Sequence, residues 1–94
     1  MKKVVLLKAD GTREVLTPEK KPSLEQMQKW VDGWVESVHR NPTTGQLLRW
    51  EGQAVVVVVN EEGLLRHLPL NRQATEAFGF TVVGDCFVLQ GWRL

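Results

Sequence analysis

Ala54-Val55-Val56-Val57-Val58-Val59-Asn60-Glu61-Glu62-Gly63 is the stretch that decides the fold. Five consecutive valines lose side-chain freedom in a helix and suit the pleated surface of a strand. A strand with one wet face alternates apolar and polar residues, but Val55 to Val59 offers water no polar side. The run therefore predicts a central strand covered on both faces, and the rest of the chain must supply the covers.

Upstream, Leu47 to Trp50 and Gln53 to Val59 read as strands split by a Glu51-Gly52 turn, and Asn41-Pro42-Thr43-Thr44-Gly45 is a turn cluster. Downstream, Asn60-Glu61-Glu62-Gly63 reads as a hairpin turn that hands over to Leu64 to Leu68 as a returning strand. At the front, Lys3 to Leu7 and Thr12 to Leu16 flank Asp10-Gly11, which predicts another hairpin. The proline- and lysine-rich stretch from Thr17 to Pro22 can only be a connector.

Ser23 with Gln26 three residues on is a capping box, and Leu24, Met27, Trp30 and Val31 share one stripe, so a helix is predicted over 23–32. Gly33 supplies a left-handed stop, and Trp34 after it is placed to pack back on the last turn. Trp34 to Val38 alternates as a half-buried strand. Asn71 caps a second helix, over 71–78, that ends at Gly79. Phe80 to Val83 and Cys86 to Leu89 are two further strands divided by Gly84-Asp85. The sum is a single α+β domain over 1–94, with six to eight short strands in a mostly antiparallel, curved sheet and two short helices. The first helix covers one sheet face. The second is barely two turns, so the other face is expected to close by the sheet curling until Phe80 to Leu89 folds over it, giving a monomer. A homodimer across a two-fold axis is the alternative.

The chain has 94 residues, 43% apolar and 24% charged, with a net charge of +1. That balance fits a globular chain and lacks the basic excess of a phosphate-tracking surface. The opening Met1-Lys2-Lys3-Val4-Val5-Leu6-Leu7 has too short an apolar run for a signal peptide, and Ala54 to Val59 falls far short of the ~20 residues of a membrane span. A single cysteine, Cys86, excludes an internal disulfide. A cytoplasmic protein without membrane attachment is expected.

Catalytic chemistry finds little to work with. Cys86 lies inside the apolar run Cys86-Phe87-Val88-Leu89, where a thiol is ordinarily a buried, inert hydrophobe. His39 and His67 lack the paired spacing of a zinc site. The eight glycines stand singly rather than in a phosphate loop. Glu61-Glu62 sits in a turn, where solvation keeps carboxylates ordinary. No cofactor and no enzymatic activity are expected. Four tryptophans remain, of which Trp30 and Trp34 have packing roles at the helix end. Trp50, beside Arg49, is the one expected to be partly exposed.

Four segments together resemble a known family. They are Leu24 to Glu36, Val58 to Gly63, Leu68 to Thr75 and Val83 to Val88. They carry a helix running into Val-x-Gly-aromatic-x-Glu, an Asn-Glu-x-Gly turn, a Pro-x-Asn-x-x-Ala helix cap and a late Gly-Asp strand opening. This pattern is similar to the phage and mobile-element family known as domain of unknown function 3846. The resemblance covers most of the chain after the first hairpin. It implies a small protein commonly encoded by bacteriophages, with no assigned activity, and Gly33, Asn71 and Gly84 carry over as fold markers only.

The expected function is therefore that of a small non-enzymatic binding protein of phage type, engaging a host or phage macromolecule, foremost a protein, through an aromatic and arginine surface. The candidate partner-binding residues are Arg40, Arg49, Trp50 and Arg93. The same four, gathered on one sheet face, would make a nucleic-acid-binding module as the alternative reading, and a small-ligand-binding protein is a third.

Overall fold

A computed structural model describes residues 2–92. It is an α+β fold of seven strands and two helices: β1 (Lys3–Leu7), β2 (Arg13–Leu16), α1 (Leu24–Val31), β3 (Val35–Val38), β4 (Arg49–Trp50), β5 (Gln53–Ala54), β6 (Val56–Asn60), α2 (Arg72–Phe78) and β7 (Cys86–Gln90). Five strands form one antiparallel sheet in the order β2-β1-β7-β6-β3, and β4 and β5 form a separate two-stranded ribbon.

The valine run behaves as its composition demands. β6 lies between β7 and β3, and its side chains alternate between two cores. Val56 and Val58 join Val4, Leu6, Phe87 and Leu89 on the face covered by α1, through Met27 and Val31. Trp30 adds an edge-to-face contact with Phe87, at 5.0 Å between ring centroids. Val55 and Val57 join Val5, Leu7, Cys86 and Val88 on the opposite face, under Ala74 and Phe78 of α2 together with Leu48 and Val82. The second face is thus closed internally, but not by a curled sheet. β7 is the middle strand rather than a flap, and the cover is α2 with the arm that runs from β3 to β6. Two turns of helix suffice because Leu48, Trp50, Phe80 and Val82 fill the area beside them.

Three other expectations are corrected. Leu64 to Leu68 does not return as a strand, because both edges of β6 are already taken by β3 and β7. The segment instead coils back in tight turns, with Arg66 N–H donating to Glu62 O and Leu68 N–H to Gly63 O. Phe80 to Val83 contributes only an isolated bridge, Leu70 to Val83. The left-handed residue that closes α1 is Asp32, at φ 59°, one position before the predicted glycine. Its N–H reaches Lys29 O, and Gly33 N–H reaches back to Gln28 O at 3.0 Å, which is the pair of bonds of a Schellman closure.

That one-residue offset sets the parity of β3. Val35, opposite Asn60, faces α1 and packs into its core, so Trp34 turns to the other side and is 62% exposed rather than packed on the helix. Leu24, at the first turn of α1, is exposed as well.

Asn71 ties the second helix to the sheet. Its Oδ1 accepts from Ala74 N–H as the helix cap, and its Nδ2 donates to Leu7 O at 2.8 Å and Gly84 O at 2.9 Å. The predicted cap is therefore also a fully buried cross-link between α2, β1 and the start of β7. Gly84 lies so close to Leu68 that a Cβ would stand 2.7 Å from its Cδ1.

Candidate functional site

The surface chemistry concentrates at the β3 end of the sheet. β3 is an edge strand, paired with β6 on one side only. Beside it a groove of about 670 Å³ runs between Glu36 to Arg40, the turn around Gly63, Leu64 and Leu65, and the segment Phe80 to Val83, with Val38 and Val59 in its floor. Leu64 is 75% and Leu65 81% exposed, and Leu65 shares a second depression with Trp34, Glu61 and Glu62. Two leucines and a tryptophan thus adjoin one another in water, at a cost that soluble monomers seldom carry without use.

The turn that presents them is held firmly. Asn60 at the end of β6 accepts from Glu62 N–H through Oδ1 and donates through Nδ2 to Val31 O and Asp32 O. Gly63 is buried against Val83, where a Cβ would stand 2.8 Å from the valine's Cγ2. Arg66 is drawn onto the end of α1 by bonds to the Asp32 carbonyl and carboxylate. With that cation engaged, the charges at the groove are mainly Glu36, Glu61 and Glu62, set against Arg40 at the far end.

Of the predicted partner residues, Arg40 lines this groove, although its guanidinium also donates to Gly45 O within its own turn. Arg49 and Trp50 belong to the β4-β5 ribbon and line no part of the groove. The Trp50 ring is half-buried, 5.8 Å from Phe78, and the cation over it is Arg13 of β2, at 5.1 Å, not its neighbour Arg49. Arg49 and Trp50 therefore do not join Arg40 on a face of the main sheet, because β4 lies outside the five-stranded sheet. Arg93 lies outside the described residues. Sequence reasoning missed Leu64 and Leu65 by assigning them to a strand. The available signal was their adjacency, since neighbours on a strand point to opposite faces and a returning strand at the sheet's edge would have needed cover on both.

Three titratable groups away from the groove are shifted by their surroundings. Burial, with Asp85 adding to it, pushes the Cys86 thiol up to about 12. Hydrogen bonding from Lys3 lowers the Glu51 carboxyl, and the Thr12 hydroxyl lowers that of Asp10. Among the described residues no three His, Cys, Asp or Glu side chains converge as a metal site would require, and no helix is long and apolar enough to cross a membrane.

The family model described as domain of unknown function (DUF3846) matches residues 1–92. The chain belongs to the DUF3846 family. No curated protein and no solved structure matches it. Within this DUF3846 chain the motif residues are architectural: Gly33 packs against Asn60, Asn71 joins three elements and Gly84 admits Leu68. The exposed Trp34, Leu64 and Leu65 sit beside those supports and make none of these close contacts.

Proposed function

We propose that this DUF3846 protein is a small, non-enzymatic, phage-type module, working as a cytoplasmic monomer, that binds a host or phage protein through the surface around Trp34, Leu64 and Leu65. The observation that carries this reading is the exposure of two adjacent leucines next to a tryptophan, on a turn anchored by Asn60 and Gly63. Trp34 is the residue type that most often anchors an interface hot spot, and side chains presented on a firmly held turn lose little entropy on binding. The inert Cys86 thiol also favours binding over chemistry.

The test is site-specific photocross-linking in cells that carry the gene. A photoreactive side chain at Leu65 should capture a protein that the same group at Glu25 does not. The identified partner, purified, should then bind the wild-type chain and lose affinity for Leu65→Asp. Capture of nucleic acid at Leu65 instead, with an affinity falling steeply as salt rises, would replace this reading with the nucleic-acid one.

A further inference from the structure

The open edge of β3 has a definite hydrogen-bonding phase. Glu61 N–H donates to Trp34 O at 2.8 Å, in register with the ladder that pairs Glu36 with Val59 and Val38 with Val57. In an antiparallel ladder bonded residues alternate, so Trp34, Glu36 and Val38 exchange bonds with β6, and Val35 and Ser37 turn their N–H and C=O groups outward. The open stretch ends at His39, whose carbonyl already accepts from Leu48 N–H at 3.0 Å. What remains free is a span with two donors and two acceptors. Trp34, Glu36 and Val38 share the groove side of this edge, with Glu36 in the middle.

We propose that this edge takes up an extended segment of the partner protein as a sixth strand, and that the segment places a Lys or Arg opposite Glu36, with apolar residues two positions to either side. The inference rests on the protein-binding reading above and specifies its chemistry. Strand addition supplies affinity through the backbone and specificity through alternate side chains. Here the alternate positions face Trp34, Glu36 and Val38, while Glu61 and Glu62 deepen the negative charge beside them and Leu64 and Leu65 form the opposite wall.

The same strand of a second copy does not fit this edge across a two-fold axis. In the two-fold register that sets Val35 against Ser37, Glu36 opposes Glu36, a like-charge pair that destabilises a sheet. The register centred on Ser37 needs the outer side of His39, which Leu48 occupies. The register centred on Val35 needs the N–H of Gly33, which is given to Gln28. The carboxylate thus rejects two-fold pairing of β3 with itself and admits a basic strand.

The experiment is an NMR titration of the full chain with the synthetic peptide acetyl-Thr-Val-Thr-Lys-Thr-Val-Thr-amide. The largest shifts are expected at the Val35 and Ser37 amides, together with slowed hydrogen exchange there. Changing the peptide's lysine to glutamate should weaken binding about tenfold, as attraction across the strands becomes repulsion. Glu36→Lys should reverse that preference, and its folding is verified from the unchanged Val56 to Val58 signals. N-methylation of the peptide nitrogens that face β3 should abolish binding without altering the protein. Absence of any shift at Val35 and Ser37 up to the peptide's solubility limit overturns strand addition. Shifts confined to Leu64 and Leu65 overturn it too, while leaving the surface reading intact, whose own failure is read separately as no capture at Leu65.

Discussion

Gly33 lies against Asn60 so closely that a Cβ on the glycine would stand 2.7 Å from the asparagine's Nδ2. That amide donates to Val31 O at 2.9 Å and Asp32 O at 3.1 Å, so the stop of α1 and the end of β6 are one joint. Gly33→Ala should therefore cost roughly 2 kcal/mol or more, through displacement of a buried hydrogen-bonded group rather than loss of a helix cap. Asp32→Gly should be neutral or mildly stabilising, since Asp32 holds the left-handed conformation. Urea midpoints of the two variants check the pair, and equal losses would contradict the assignment.

Asn71 tests the second joint. Asn71→Ala should cost about 3 kcal/mol, because it removes the cap of Ala74 and strands the buried carbonyls of Leu7 and Gly84. Asn71→Asp should be at least as damaging although aspartate is a good cap, since a carboxylate cannot donate to those carbonyls. A mild Asp variant in chemical denaturation would show that capping alone matters.

Cys86 gives a pH dependence. Its thiol is raised from the ordinary 9.0 to about 12, so the folded chain keeps a proton that the unfolded chain releases. The stability this represents is fully present below pH 9 and is lost as pH rises toward 12, at up to about 1.4 kcal/mol per pH unit. The difference in stability between wild type and Cys86→Ala should shrink over that window. Thiol labelling of the native protein at pH 8 should be slow and should follow unfolding.

Val56 and Val57 point to opposite cores, and both are covered within one chain. Val56→Asp and Val57→Asp should each abolish folding, each burying an unpaired carboxylate. Wild type should sediment as a monomer at all concentrations. A folded monomeric variant of either kind would mean that one face is open after all.

Leu65 is the opposite case. Leu65→Ser should leave stability within about 0.5 kcal/mol of wild type, as an exposed side chain makes no packing contribution. A marked fall in melting temperature would return the leucine to the core and remove it from the surface.

Much of this architecture was legible where the decisive chemistry is local. Ser23 with Gln26, Asn71 with Gly79, and the Asp10-Gly11 turn specify their elements through hydrogen bonds within a few residues, and the structure keeps their boundaries. The uniform valines likewise declared two covered faces. What escaped depends on who sits beside whom. Leu64 to Leu68 has strand composition but no edge to join, and that is knowable only once β7 is seen beside β6. Trp34 was misplaced by a single residue of helix closure, which in a strand inverts the side a residue faces. The same limit applied to the surface. Arg49 and Trp50 are adjacent in sequence, yet the ring is occupied by Phe78 and Arg13 from distant elements.

The last strand in chain order is the middle strand of the sheet. β7 pairs Val88 with Val5 on one side and with Val57 on the other, so it alone joins the β1-β2 ribbon to the β6-β3 ribbon. During synthesis the two ribbons share no ladder until Cys86 to Gln90 clears the ribosome, and the valines of β6 wait with a bare edge. Assembly of the sheet thus waits for its last strand and is governed by distant pairings, the kind that form slowly and expose a nascent chain to aggregation and proteolysis. A ribosome stalled ahead of Cys86 would hold two unjoined halves that a chaperone must shelter.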